Sequence, residues 1–342
     1  MTQLVIHTGM PMTSAAVIRD QLAGWREPLE RAGVELVAKD APKAWDRAVR
    51  QVLGGEVPPP LRRVMRRKQQ GDAPTVLLSA ELAARALGSR PTVNALRALS
   101  RDSGLTTKVV LVVREQLDLL NALYCRRVMA LETSIGFESF VTDALVSGRL
   151  ELDHHFAALQ DASGVELVAV PYSRLEPHLP AAAVLEAAGA AGDAAVTGAD
   201  AAADVQAAAD DRWLPGPVLL TATRLLHKRL TRLGAVRKRP AEELGAAVAM
   251  LRHRATDAAW NEVPFWGWSQ DLAATAEQHY RSGNDSFAAR VWGAPWPDVA
   301  PSRPQTRQDL ASEPPAVVSD VMTMIHRAVD ELTAGRAVAV TT

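Results

Sequence analysis

Residues 4–22 read LVIHTGMPMTSAAVIRDQL. Leu4, Val5 and Ile6 form an apolar run that enters a short turn holding Gly9 and Pro11. Thr13 and Ser14 follow, and then Val17, Ile18 and Leu22 recur at helical spacing. The order is strand, tight turn, helix. In an open parallel sheet that junction is where phosphates are held, because N–H groups at a helix start face an anion. Thr13 or Ser14 is placed to cap the helix and to reach an anionic oxygen. A βα turn that binds nothing carries the same spacing, since one glycine in a turn is a weak signal.

Outward from this stretch, apolar strands and helical patterns alternate. A helix over 14–31 leads to a strand at 34–37. A helix at 43–53 and a basic helix at 61–70 follow, the latter carrying Arg62, Arg63, Arg66, Arg67 and Lys68. Those charges read as a solvated face or as an anion-facing surface over the site. Strands are expected at 75–79, 108–113 and 165–170, with helices at 94–99, 116–130, 137–146 and 153–161 between them. The run VVLVV before Arg114 is apolar on both faces, which marks a central strand. The fold class is therefore α/β: a three-layer sandwich around a parallel sheet of about five strands.

From residue 180 the character changes. The chain reads as an α/β core at 1–180, an Ala-rich linker or loose helix at 181–211, and a helical C-terminal region at 212–342 that packs on the core. Helices are expected at 215–233, 241–256 and 317–333, with a Pro-, Ser- and Arg-rich loop at 300–315. Trp260, Trp266, Trp268, Trp292 and Trp296 read mostly as packing residues.

The 342 residues are 48% hydrophobic, enough for a sizeable core, and carry a formal net charge of -1. That balance offers no global field for nucleic acid or an anionic membrane, although local basic patches stay open, and nucleic acid is not expected as a partner. The single cysteine, Cys125, excludes an internal disulfide and any cysteine metal cluster, and reads as a packed thiol. No signal peptide and no membrane span are expected, and the expected location is cytoplasmic. No His, Asp and Glu grouping has metal-ligand spacing. His154 and His155 open a helix pattern and read as surface or capping groups.

Four segments together resemble the bacterial branch of the sulfotransferase family, whose nucleotide-binding fold is related to the phosphate-loop NTPases. They are HTGMPMTSAAV from His7, LLSAEL from Leu77, VVLVVREQLDLLNALY from Val109 and VELVAVPYSRLE from Val165. A fainter likeness lies in SGNDSFAARVWG from Ser282. The resemblance implies transfer of a sulfuryl group from 3′-phosphoadenosine-5′-phosphosulfate (PAPS), without a metal, to the hydroxyl or amine of a small-molecule or glycan acceptor. It places His7, Gly9, Pro11, Met12, Thr13 and Ser14 on the phosphosulfate turn and Arg114 on the 3′-phosphate. It makes Glu81 the candidate base, whereas a first-turn glutamate stabilised by the helix dipole is the plain reading of the same residue. The departures are specific. The family's lysine falls on Met12, its next glycine on Ser14, and a serine after the arginine falls on Ala122. Asn121 or Arg126 could replace that serine. A non-catalytic member of the fold that binds a nucleotide or a protein partner is the alternative.

Overall fold

Strand β1 (Gln3–Gly9) is the third of five strands in one sheet. The structure is a computed structural model that describes residues 2–37, 42–68, 75–80, 83–148, 150–175, 180–190, 214–260, 263–297, 305–306 and 310–334. The other strands are β2 (Val34–Leu36), β3 (Thr75–Ser79), β4 (Thr106–Val113) and β5 (Val165–Pro171). Their order is β2-β3-β1-β4-β5 and every pair is parallel. Strands β3 and β4 flank β1, with His7 level with Ser79 on one side and Val110 on the other.

The apolar runs explain the position. Leu4, Val5, Ile6 and all of Val109–Val113 have no exposed surface, which a strand achieves only when both faces are covered. Burying one such side chain contributes about 1.5–3 kcal/mol. On one face Val5, Leu77, Val110 and Val112 share a core with helices α1 (Ala15–Gly24) and α2 (Arg26–Arg31). Tertiary contacts bring another helix group to the strands: α3 (Pro42–Leu53), α5 (Ala83–Leu87), α6 (Arg90–Ser103) and α9 (Leu152–Gln160). The arrangement is α/β and consistent with a three-layer sandwich. Helix α4 (Pro59–Lys68) covers most of the expected basic segment.

The helix expected over 14–31 is two helices, and Pro28 supplies the reason. Its ring and missing N–H forbid a bond to the carbonyl of Gly24, so the chain cannot continue as one helix. Trp25 takes the turn at φ −91° and ψ 14° and buries its ring in the β1 core. The Ala-rich segment opens with helix α10 (Pro180–Ala188), which packs on α1. Residues 191–213 of the expected linker and most of the loop at 300–315 lie outside the described residues.

The chain forms two compact units. Unit one is Met1–Gln116, Arg149–Arg212 and Gln278–Ala300, and holds the sheet. Within it, the Trp292 indole N–H donates to the Ala169 carbonyl of β5 at 2.8 Å. Unit two is Leu117–Gly148, Trp213–Glu277 and Pro301–Thr342. It contains α8 (Phe137–Ser147), α11 (Pro217–Arg232), α12 (Ala241–Asp257) and α14 (Pro315–Ala334), with most of α7 (Gln116–Met129). Leu226, Leu230, Leu251 and Ile325 centre its core, and Arg254 forks onto Asp320 with both N···O distances at 3.0 Å. Helix α13 (Gln270–Val291) contributes its residues from Gln278 onward to unit one. Among the described residues no helix is long and apolar enough to cross a membrane.

Candidate functional site

The strand order creates one reversal. The chain leaves β1 towards β2 on one side, whereas it leaves β4 for β5 on the other. Ligands of open α/β sheets occupy the crevice beyond the carboxyl ends of such a strand pair. The loop after β1 and Arg114 after β4 both lie at that place, in unit one.

The loop is held by side chains acting on its carbonyls. The Thr13 hydroxyl donates to the Met10 carbonyl at 2.6 Å, and Arg114 Nη1 donates to the Met12 carbonyl at 2.7 Å. Arg114 is 6% exposed, and its guanidinium lies 4.6 Å from the centre of the Tyr172 ring at the end of β5. The arginine thus braces the loop against the neighbouring strand ends. Gly9 makes room for this: a Cβ there would stand 2.0 Å from Thr13 Oγ1.

Met12 and Ser14 adopt left-handed φ angles of 63° and 59°. Glycine adopts this conformation freely, and other residues at a cost of about 1–2 kcal/mol. Ser14 occupies the N-cap of α1 but makes no side-chain cap bond, so the expected cap is not formed by either hydroxyl. Its Oγ is buried without a partner, in a residue 2% exposed. Among the described residues, no acceptor takes the N–H groups of residues 12–17. Thr13, Ser14, Ala15 and Val17 are buried, and buried N–H groups are normally paired. A consecutive run of unpaired donors around a buried hydroxyl, at the positive end of a helix, has the chemistry to meet an anion.

His7 lies beneath the loop. It has no exposed surface, Nδ1 sits 2.8 Å from Ser79 Oγ, and Nε2 has no partner. Burial lowers its pKa from 6.5 to about 3, so the ring is neutral near pH 7. Pro11 is exposed and Met12 half-buried on the rim. Glu81 lies outside the described residues.

Arg19 pairs with Asp20 at 3.2 Å, and Arg62 Nε donates to the Val57 carbonyl, so each has a local partner. Asn121 is wholly buried in unit two, where it donates to the Phe265 carbonyl and accepts from Gly267 N–H, both at 3.0 Å. That pairing is structural. Cys125 and Ala122 are also buried. His154 is exposed, and His155 Nε2 lies 3.2 Å from the Ala84 carbonyl.

Sequence reasoning overlooked the polar groups following Arg114. Glu115 is 9% exposed, and Gln116 is wholly buried in a reciprocal amide pair with Asn284, at 2.5 and 2.9 Å. Tyr280, one turn before Asn284, buries its hydroxyl without a partner. Burial, then the nearby carboxylates Glu151 and Glu115, push its pKa up. The signal was present as three polar residues directly after five apolar ones at a strand's carboxyl end. The chain matches no protein-family model, no curated protein and no solved structure.

Proposed function

We propose that the loop at 9–14 and α1 bind the phosphate of a nucleotide, and that the chain is a sulfotransferase-like protein using the adenosine 3′,5′-bisphosphate unit of PAPS. The observation that carries this reading is the run of unpaired N–H groups at residues 12–17 around the orphaned Ser14 hydroxyl. Those donors suit phosphate oxygens, and none of them needs a lysine. Support for the sulfotransferase assignment within that class is the motif resemblance, with Ser14 in the left-handed conformation where the family has glycine.

The residues fit binding better than they fit transfer. Sulfuryl transfer builds negative charge on the oxygen bridging phosphate and sulfate, and only a donor stronger in the transition state speeds the step. The Met12 thioether supplies no cation there. Losing one such donor slows transfer by about a hundredfold or more. The wild-type chain should therefore bind adenosine 3′,5′-bisphosphate and transfer sulfuryl groups weakly, with Met12→Lys raising turnover.

Titration with adenosine 3′,5′-bisphosphate, followed by the amide resonances of residues 12–17, tests the binding. Saturable shifts there are expected. A folded protein whose loop amides do not respond would overturn the nucleotide reading in favour of a non-nucleotide member of the fold. Release of desulfated nucleotide from PAPS, with and without acceptors, tests the chemistry. Robust wild-type turnover unaffected by Met12→Ala would overturn the argument about the missing cation.

A further inference from the structure

A cavity lies at the end of the sheet opposite the loop after β1, within unit one. It measures about 660 Å³ and is bounded by the last turns of α6, the turn entering β4 and the turn entering β5. We infer that this groove binds a phosphate monoester carrying a small organic group, independently of the loop after β1.

Charge and hydrogen-bonding capacity are the first support. Asn94, Arg97 and Arg101 line the groove from one stripe of α6, at spacings of three and four residues. Thr106, the first residue of β4, and Ser163, in the turn entering β5, add hydroxyls, and among the described residues no acidic side chain lines the space. Arg97 Nη2 donates to Ser163 Oγ at 2.8 Å, which holds the guanidinium across the groove. Among the described residues no carboxylate pairs with Arg97. Arg101 meets Asp102 through Nε at 2.9 Å, which leaves the groove a net positive lining. Guanidinium groups with flanking hydroxyls suit the several oxygens of a phosphate.

Construction of the floor is the second. Ser100, 7% exposed, donates to the Leu105 carbonyl at 2.6 Å and contacts the Gly164 carbonyl at 3.2 Å, tying the two turns together. A helix ending beside an anion site is unfavourable when its last carbonyls are bare. Here two of them are taken, Ser100 by Leu105 N–H and Arg101 by Gly104 N–H, and the Ser103 hydroxyl also bonds the Leu99 carbonyl. Ala98 and Leu105 give part of the lining an apolar character, which is where the organic group belongs.

The test is an amide-resonance titration of the full chain with phenyl phosphate, with inorganic phosphate and phenol as comparison probes. Phenyl phosphate should shift Gly104, Thr106 and Gly164 saturably below about 10 mM, inorganic phosphate more weakly and phenol not at all. The double variant Arg97→Gln/Arg101→Gln should weaken binding at these amides at least tenfold while its spectrum elsewhere stays that of the folded protein. The loop amides at 12–17 report the nucleotide reading separately, so either assignment can fail alone. No shift at the groove, equal shifts with phenol, or shifts that survive the double variant would overturn the proposal.

Discussion

Acid should destabilise the sheet-bearing unit through His7. Its ring is sealed in the core, with one nitrogen on Ser79 and the other without a partner. The folded protein therefore keeps it neutral down to about pH 3, whereas the unfolded chain takes up a proton near pH 6.5. Above 6.5 neither state binds the proton and His7 adds no pH dependence. Below 6.5 the unfolded state is favoured increasingly, and the loss continues until the folded pKa is passed. At ~1.36 kcal/mol for each pH unit, the interval from 6.5 to about 3 is worth on the order of 5 kcal/mol. A whole domain has about 5–15 kcal/mol in reserve, so this one imidazole could remove a third or more of it. The comparison is wild type against His7→Asn, which keeps a group able to meet Ser79 but cannot titrate. Urea unfolding at pH 7.0 and 4.5 should show an extra loss of about 3 kcal/mol in the wild type. The variant should start lower at pH 7.0, because it leaves a small cavity, yet fall less steeply. Equal acid losses in both proteins would refute the reasoning. So would a His7 ring resonance titrating near pH 6 in the folded chain.

Three further outcomes follow from the loop and the second unit. Ser14→Gly relieves a left-handed residue and removes a buried unpaired hydroxyl, so thermal unfolding should rise by about 1–2 kcal/mol while nucleotide binding weakens; a less stable variant would mean the hydroxyl has a partner. Gly9→Ala drives a Cβ into Thr13 Oγ1, so it should cost about 1–3 kcal/mol and weaken binding, and Gly9→Ala/Thr13→Ala should recover much of the stability. Gly267→Ala would place a Cβ 2.4 Å from the Phe137 ring, beside the Asn121 bracket, and should destabilise unit two by about 1–3 kcal/mol in a melt.

What the sequence made legible was whatever depends on local pattern. Unbroken apolar runs at Leu4–Ile6 and Val109–Val113 announce buried strands, and burial on both faces places them centrally. The loop was located but its shape was not, because Met12 and Ser14 take left-handed angles that only glycine would have advertised. Arg114 was named for a ligand phosphate, whereas in the structure it also holds the Met12 carbonyl. Asn121 could not be assigned from sequence, since its partners at Phe265 and Gly267 lie more than 140 residues away. Helix α13 was not among the helices expected from the sequence. Polar residues surround it, and Ala276, Tyr280, Phe287 and Ala288 are the members with almost no exposure, too sparse a stripe for an amphipathic signature.

Trp292 bears on how this chain behaves in company. A parallel sheet leaves two outer strands, and each is a template on which a foreign strand can grow. On one side β2 offers only three residues, too short to nucleate a ladder. On the other, β5 is seven residues long, but the Trp292 indole N–H already takes its Ala169 carbonyl, midway along. The Lys108–Glu166 ion pair across β4 and β5, at 3.3 Å, also puts charge beside that rim. Each sheet margin is thus blunted by a different device: brevity at β2, and a ring with a nearby charge pair at β5. Trp292→Phe would keep an aromatic ring but free the Ala169 carbonyl, leaving that margin more open to edge-to-edge association.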